Sequence, residues 1–239
     1  VYLPLHEQYD GGDKSARIPS NPETIANNLK DRQIDSSYGA TFYPWVQTRD
    51  ANTGRALWVP PTVAMMGVLA SSQAVSHLWF APAGFNRGGL SDGAAGIPIT
   101  NVTERLTAKQ RDTLYEANIN PIANFPNGGF VIFGQKTLQQ DRSALDRVNV
   151  RRMLLEVKRI ISNIANQLIF EQNTPQTRAR FVAQATPQLA TIQTQQGIDQ
   201  FKIVMDASNN SAEDIEQNRL NGRIVLVPTR AVEFVAIDF

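Results

Sequence analysis

The side chains able to do chemistry are few and scattered. The two histidines, His6 and His77, stand far apart without neighbouring ligand motifs, and they read as structural or surface residues rather than a metal pair. Cysteine is absent, which excludes disulfides, thiolate nucleophiles and Cys-based zinc sites together and removes any need for an oxidising compartment. Asp141 with Asp146, and Glu213 with Asp214 and Glu216, can be drawn as acid/base groupings. Acids at helix ends more commonly serve caps and the helix dipole, so no catalytic residue is assigned. No Gly-x-x-x-x-Gly-Lys-Ser/Thr segment occurs, and Gly88, Gly89, Gly93 and Gly96 do not form a Gly-x-Gly-x-x-Gly turn, so neither a phosphate cradle nor any other cofactor is expected. What remains is a row of cations, Arg147, Arg151, Arg152, Lys158 and Arg159, broken only by Glu156. Such a row is either a solvated face with intrachain ion pairs, which contribute little, or a docking face for an acidic partner.

The element that must carry these cations is a helix over Val148 to Thr174. Val150, Leu154, Val157, Ile161, Ile164 and Leu168, widened by Met153, Ile160 and Ile169, give an apolar stripe about six turns long. Asn149 is the predicted N-cap, and Thr174-Pro175 the predicted stop. Cations early in a helix oppose its dipole, which argues that something acidic faces them.

The other elements follow from local pattern. Residues 1–37 are polar, with a short helical run in ETIANNLKDRQI, and read as a linker or the remainder of an upstream domain. From Tyr38 the texture becomes β-prone, with a hairpin predicted between YGATFYPWV and RALWV and Pro44 at an edge or bulge. Pro61 starts the apolar helix TVAMMGVLASSQAV; a Gly-rich loop and the strand ITNVTERL follow. Thr107 and Gln110 make a capping box for a three-turn helix, Asn120 to Gly129 reads as turn-rich, and FVIFG as a buried strand. Pro175 to Gln196 is helical, with Pro187 either breaking it or starting a new helix capped by Thr186, and Gly197 a natural stop. FKIVMD is a strand, SAEDIEQNR a helical turn or two capped by Ser211, and the tail gives two β segments divided at Pro228. Trp45, Trp58 and Trp79 are expected in the core. The last segment either finishes the local sheet or adds to the sheet edge of a neighbouring molecule.

Composition agrees with a soluble mixed fold, α/β in the α+β sense, with a mixed sheet packed by long amphipathic helices. The 239 residues are 42% hydrophobic and contain 13 Pro and 15 Gly, and no apolar run approaches a membrane span of about 20 residues. A formal net charge of +1 gives no global pull toward nucleic acid or membrane, so neither is an expected partner. The chain begins at Val1 without an initiator Met or signal peptide and reads as a fragment.

In order along the chain, YPWV (43–46), WVPPT (58–62), WFAPAG (79–84), NINPI (118–122), FGQKTL (133–138), VNVRRMLLEVKRIISNIANQLIFEQNT (148–174), EDIEQNRL and PTRAVEFVAIDF resemble the C-terminal domain of tail sheath proteins of contractile-tailed bacteriophages, the myoviruses. The resemblance covers residues 38–239. The family often has FEPN where this chain has Phe170-Glu171-Gln172-Asn173, and WGxRTL where it has Phe133 to Leu138. The resemblance implies a structural subunit without catalysis that polymerises with other copies of itself as a helical sleeve around a tail tube protein. The sleeve then contracts and drives the tube through the host envelope. It implies baseplate and tail terminator proteins as further partners, a place in the virion after assembly in the host cytoplasm, and no nucleotide. It further implies strand sharing between subunits, assigned here to Ala231, Val232, Glu233, Phe234, Val235, Ala236, Ile237, Asp238 and Phe239. A tube-facing role for Arg151, Arg152, Lys158 and Arg159 is read from the basic row, not from the resemblance. The rival expectations are a sheath subunit of a contractile bacteriocin or type VI secretion apparatus, an enzyme with an unrecognised carboxylate site, and a nucleic-acid-binding module.

Overall fold

A computed structural model describes residues 21–91 and 98–233. The chain divides into two compact units, one ending at Arg151 and the other beginning at Arg152.

The first unit opens with helix α1 (Pro22–Asp31), inside the segment read as a linker. Asn21 caps it by accepting from Glu23 N at 3.1 Å, Pro22 takes the first turn, and Ile25, Ala26 and Leu29 are buried at helical spacing. Strand β1 (Thr41–Tyr43) pairs in parallel with β5 (Ile119–Phe125), which pairs antiparallel with β6 (Gly129–Ile132). This small mixed sheet is covered on both faces, because successive strand residues point to opposite sides. Tyr43 and Ile119 join a cluster with Ile25, Leu29, Leu114 and Leu138. Phe42 and Ile122 join another with Val46, Met65, Val68, Leu90 and Ile99. Helix α2 (Pro61–Val75) buries Ala64, Met65 and Val68 in the second cluster, and α3 (Ala108–Glu116) buries Leu114 in the first. The predicted capping box on α3 is present.

The predicted hairpin is β2 (Val46–Arg49) with β3 (Ala56–Val59), and β4 (Ile99–Val102) adds to the other side of β2. Pro44 follows a cis Tyr43–Pro44 bond and lies between β1 and β2, where the chain passes from one three-stranded sheet to the other.

The turn-rich reading of Asn120 to Gly129 holds only for residues 126–128, since Ile119–Phe125 is the central strand of its sheet. Pro121 is tolerated because Tyr43↔Pro121 closes the β1 ladder and Ile122↔Ile132 opens the β6 ladder, so its missing N–H falls at the hand-over. Asn120, fully buried, has its amide committed: Nδ2 donates to the carbonyls of Thr41 (3.0 Å) and Lys136 (2.8 Å), and Oδ1 accepts from Lys136 N (2.6 Å). Lys136 Nζ in turn donates to the Tyr115 carbonyl at 2.6 Å. The tryptophans are not in the core: Trp45, Trp58 and Trp79 are half-buried, and Trp79 stacks on His77 at 4.8 Å.

Helix α4 (Val148–Asn166) runs through the division between the units. It starts one residue before the predicted cap, and Asn149 lies inside it, with its side-chain amide donating to the Trp79 carbonyl at 3.2 Å. It also ends eight residues before Thr174. A turn closed by Leu168 N to Ala165 O and Glu171 N to Leu168 O follows, with Phe170 at φ +71°.

In the second unit α5 (Pro175–Thr194) starts at the predicted Pro175, is capped by Thr174 Oγ1 accepting from Thr177 N at 3.3 Å, and continues through Pro187. Thr186 does not cap a new helix there; its hydroxyl donates to Val182 O at 2.7 Å, as a mid-helix threonine does. The α5 residues Phe181 and Ala185 cluster with Leu168, and Ile161, Ile164, Ile203 and Leu220 pack around them. Strand β7 (Ile198–Val204) pairs antiparallel with β8 (Arg223–Pro228), and between them α6 (Ala212–Glu216) carries the predicted Ser211 cap. The α+β class holds, with the strands of the described residues divided among three small sheets rather than one.

Candidate assembly interface

The four tube-facing candidates from the basic row are placed in different environments. Arg151 and Lys158 are seven residues apart on α4, which returns a side chain to nearly the same face about 10 Å along. Arg151 is only 8% exposed. Its guanidinium lies 4.2 Å over the Tyr38 ring and donates to Ser37 Oγ, so it serves as a buried cation–π and hydrogen-bond partner. Arg152 is half-buried, and that burial lowers its pKa from the ordinary guanidinium value. Lys158 and Arg159 are exposed. Arg159 Nε bonds Glu156 Oε2 at 2.8 Å and its Nη2 meets the other oxygen. That fork holds the Glu156 carboxyl below its usual range and raises Arg159 further. The acidic partner foreseen for the row is thus supplied in part by the helix itself. Arg147 pairs with Asp146 at 3.1 Å.

Three of the five candidate carboxylates have structural partners, while Asp141 and Glu216 are exposed. Asp146 holds Arg147, Asp214 completes the cap of α6, and hydrogen bonds from the Ser211 hydroxyl and backbone lower the Asp214 pKa. Glu213 accepts from Gln217 Nε2 at 3.1 Å. No group of three or more His, Asp or Glu able to hold a metal occurs among the described residues, and no described helix is long and apolar enough to cross a membrane.

The second candidate surface is the β7–β8 pair. Register runs from Val204↔Arg223 to Ile198↔Pro228, and among the described residues these strands pair only with each other. Both outer edges therefore present backbone N–H and C=O groups that can receive another strand. On β8, Ile224 and Leu226 are half-buried, while Val225 and Val227 are 44% and 45% exposed. Ala231, Val232 and Glu233 are exposed and outside any strand; Phe234 to Phe239 lie outside the described residues. Alternation in RIVLVP made β8 legible. That its sheet holds two strands among the described residues was not, because edge status depends on what else the chain brings alongside.

Residues 140–239 match the family "Phage tail sheath C-terminal domain". The chain is 32% identical over 221 residues to the tail sheath protein of Vibrio phage KVP40, covering 92% of this chain and 32% of that protein. It is 29% identical over 225 residues to the tail sheath protein of Enterobacteria phage T4, covering 92% and 33%. The chain thus spans about a third of the length of these curated relatives. Among solved structures it resembles the PVC sheath complex of an extracellular contractile injection system in the contracted state, with TM-score 0.77, 25% identity, and 90% and 59% coverage of the two chains. The fold also matches the contracted helical sheath of the anti-feeding prophage, with TM-score 0.73, 21% identity, and 91% and 64% coverage.

Proposed function

We propose that this chain, which carries a tail sheath C-terminal domain at residues 140–239, is the assembly-forming part of a contractile phage tail sheath subunit. The observation that carries this reading is the β7–β8 sheet, whose two edges have no further strand among the described residues, followed by a segment of alternating apolar and polar residues. A neighbouring subunit's residues 231–239 pair with one of those edges, and five backbone hydrogen bonds at about 1 kcal/mol net each make that link strong for its size. A strand-shared subunit keeps its neighbours while its rigid parts repack, so two alternative packings of one sleeve store the work of contraction without nucleotide or catalysis. Lys158 and Arg159 face an acidic tube surface, with Arg151 and Arg152 beneath them fixing the helix. The sleeve meets a baseplate at one end and a terminator at the other. It is a virion component put together in the host cytoplasm, and its sheath domain takes in α1 as well as residues 38–239, because Ile25, Ala26 and Leu29 are buried with Leu114 and Leu138. The likeness to the PVC sheath complex favours a second reading, a subunit of an extracellular injection machine.

Negative-stain electron microscopy of the full-length subunit, with and without its tube protein, tests the reading. Hollow striated tubes are expected from the unaltered subunit, single particles from a subunit lacking residues 231–239, and no sheathed tubes from the variant K158E/R159E. Featureless single particles from the unaltered subunit in the presence of tube overturn the sheath function.

A further inference from the structure

Two exposed aromatic features lie outside the surfaces described so far. The first is Phe170, fully exposed and at φ +71°, a backbone region that a bulky residue rarely adopts. Its turn is pinned on both sides. Leu168 is buried in the Phe181 cluster, Asn173 Nδ2 donates to the Arg219 carbonyl at 3.0 Å, and Asn173 Oδ1 accepts from Arg178 Nε and Nη2 at 3.0 and 2.9 Å. A ring held out on an ordered turn loses little further freedom on docking, which is the condition for a binding anchor. Ile169 beside it is 59% exposed.

The second feature is a bed of three rings in the first unit. Phe125 lies 5.0 Å from both Phe85 and Phe133, those two are 6.2 Å apart, and Phe85 and Phe133 are 59% and 43% exposed. A Cβ at Gly128 would stand 2.7 Å from the Phe85 ring, so the glycine lets that ring lie flat on the backbone. The Arg111 guanidinium sits 5.3 Å over Phe125 and marks the rim as cationic.

We infer that Phe170 of one copy seats on the Phe85, Phe125 and Phe133 bed of a second copy, with Glu171 of the first meeting Arg111 of the second. The inference rests on the assembly reading above. Charge selects the occupant: the anchor is followed by a carboxylate and the bed is rimmed by a guanidinium. Glu171 now pairs with Arg180 at 3.2 Å, both about half exposed, and such a surface pair is weak enough to exchange. Aromatic edges and faces are complementary in the same contact. One chain carries both halves, and because the halves differ the contact is head-to-tail; such a contact builds a helical sleeve where its rotation does not close into a ring.

The chain has no cysteine, which permits a clean cross-linking test in the full-length subunit. F170C and F133C are made separately, assembled alone or mixed, oxidised, and run on non-reducing gels. The mixture should yield a covalent dimer that neither variant gives alone, and the F170C/F133C double variant a ladder. No dimer in the mixture overturns the contact, as does self-linking of either single variant as fast as the mixture. Electron microscopy of the unaltered subunit keeps the two readings apart: absence of tubes there overturns the sheath function instead. A charge exchange gives a second readout. E171R should lower tube yield by at least about tenfold at low salt, and adding R111E should restore it; no restoration overturns the Glu171–Arg111 pairing.

Discussion

The region up to Arg151 and the region after it solve the same packing problem to different extents. In the first, β1, β5 and β6 are covered on both faces, and Ile119, Ile122 and Ile132 are almost wholly removed from solvent. In the second, β7 and β8 have one half-buried face, while Val225, Val227 and the turn residues Ile169 and Phe170 remain exposed. A long helix and a sheet that among the described residues has two strands are poor at burying themselves and well suited to being buried by a neighbour. The contrast teaches that one chain can close a sheet on both faces in one stretch and leave a sheet face in water in another.

Three experiments break or sharpen this contrast. The largest effect should come from Phe181→Ala, which empties the centre of the second unit's cluster at a cost of about 3–5 kcal/mol. Hydrogen exchange should accelerate in α5, β7 and β8 and leave β5 and β6 protected; equal loss in both would show that the two regions unfold as one. Next comes Asn120→Ala, which strands the Lys136 amide and two carbonyls in a buried site and should cost about 3 kcal/mol. The expected signature is lost protection at Lys136 N with β7 and β8 unchanged, read by the same exchange measurement. The smallest effect concerns the exposed part of α4. The Arg159 fork depresses the Glu156 pKa from its ordinary 4.5, so its contribution is complete above that value and disappears as pH falls through the depressed one. Titration followed by NMR should show the Glu156 carboxyl ionising below 4.5, with helix-end amides responding at the same pH. A midpoint at or above 4.5 removes the pairing, and the R159Q variant should return it to the ordinary range.

The contrast also explains which readings of the sequence survived. Helix α3 with its Thr107 and Gln110 box, the start of α5 at Thr174-Pro175, and the cap at Ser211 rest on interactions within a few residues, and all are where local pattern put them. The Asn120-Pro121 stretch misled because those residue types usually signal turns, whereas here Asn120 bonds groups 79 and 16 positions away in the chain. The basic row misled in another way. Helical spacing correctly placed Arg151 and Lys158 on one face but carried no information about what covers that face at each end.

The sequence alone determined the local grammar: caps, helix periodicity, strand alternation, the absence of cysteine chemistry, and a string of motifs shared with tail sheath proteins. Tertiary structure alone decided that Arg151 is buried over Tyr38 while Arg159 stays in water, that β5 is central, and that β7 and β8 pair only with each other among the described residues. The physical reason is range. Caps and periodicity are set by contacts three or four residues apart, whereas burial and edge status are set by whichever distant segments fold alongside, and these are not encoded at the position they affect.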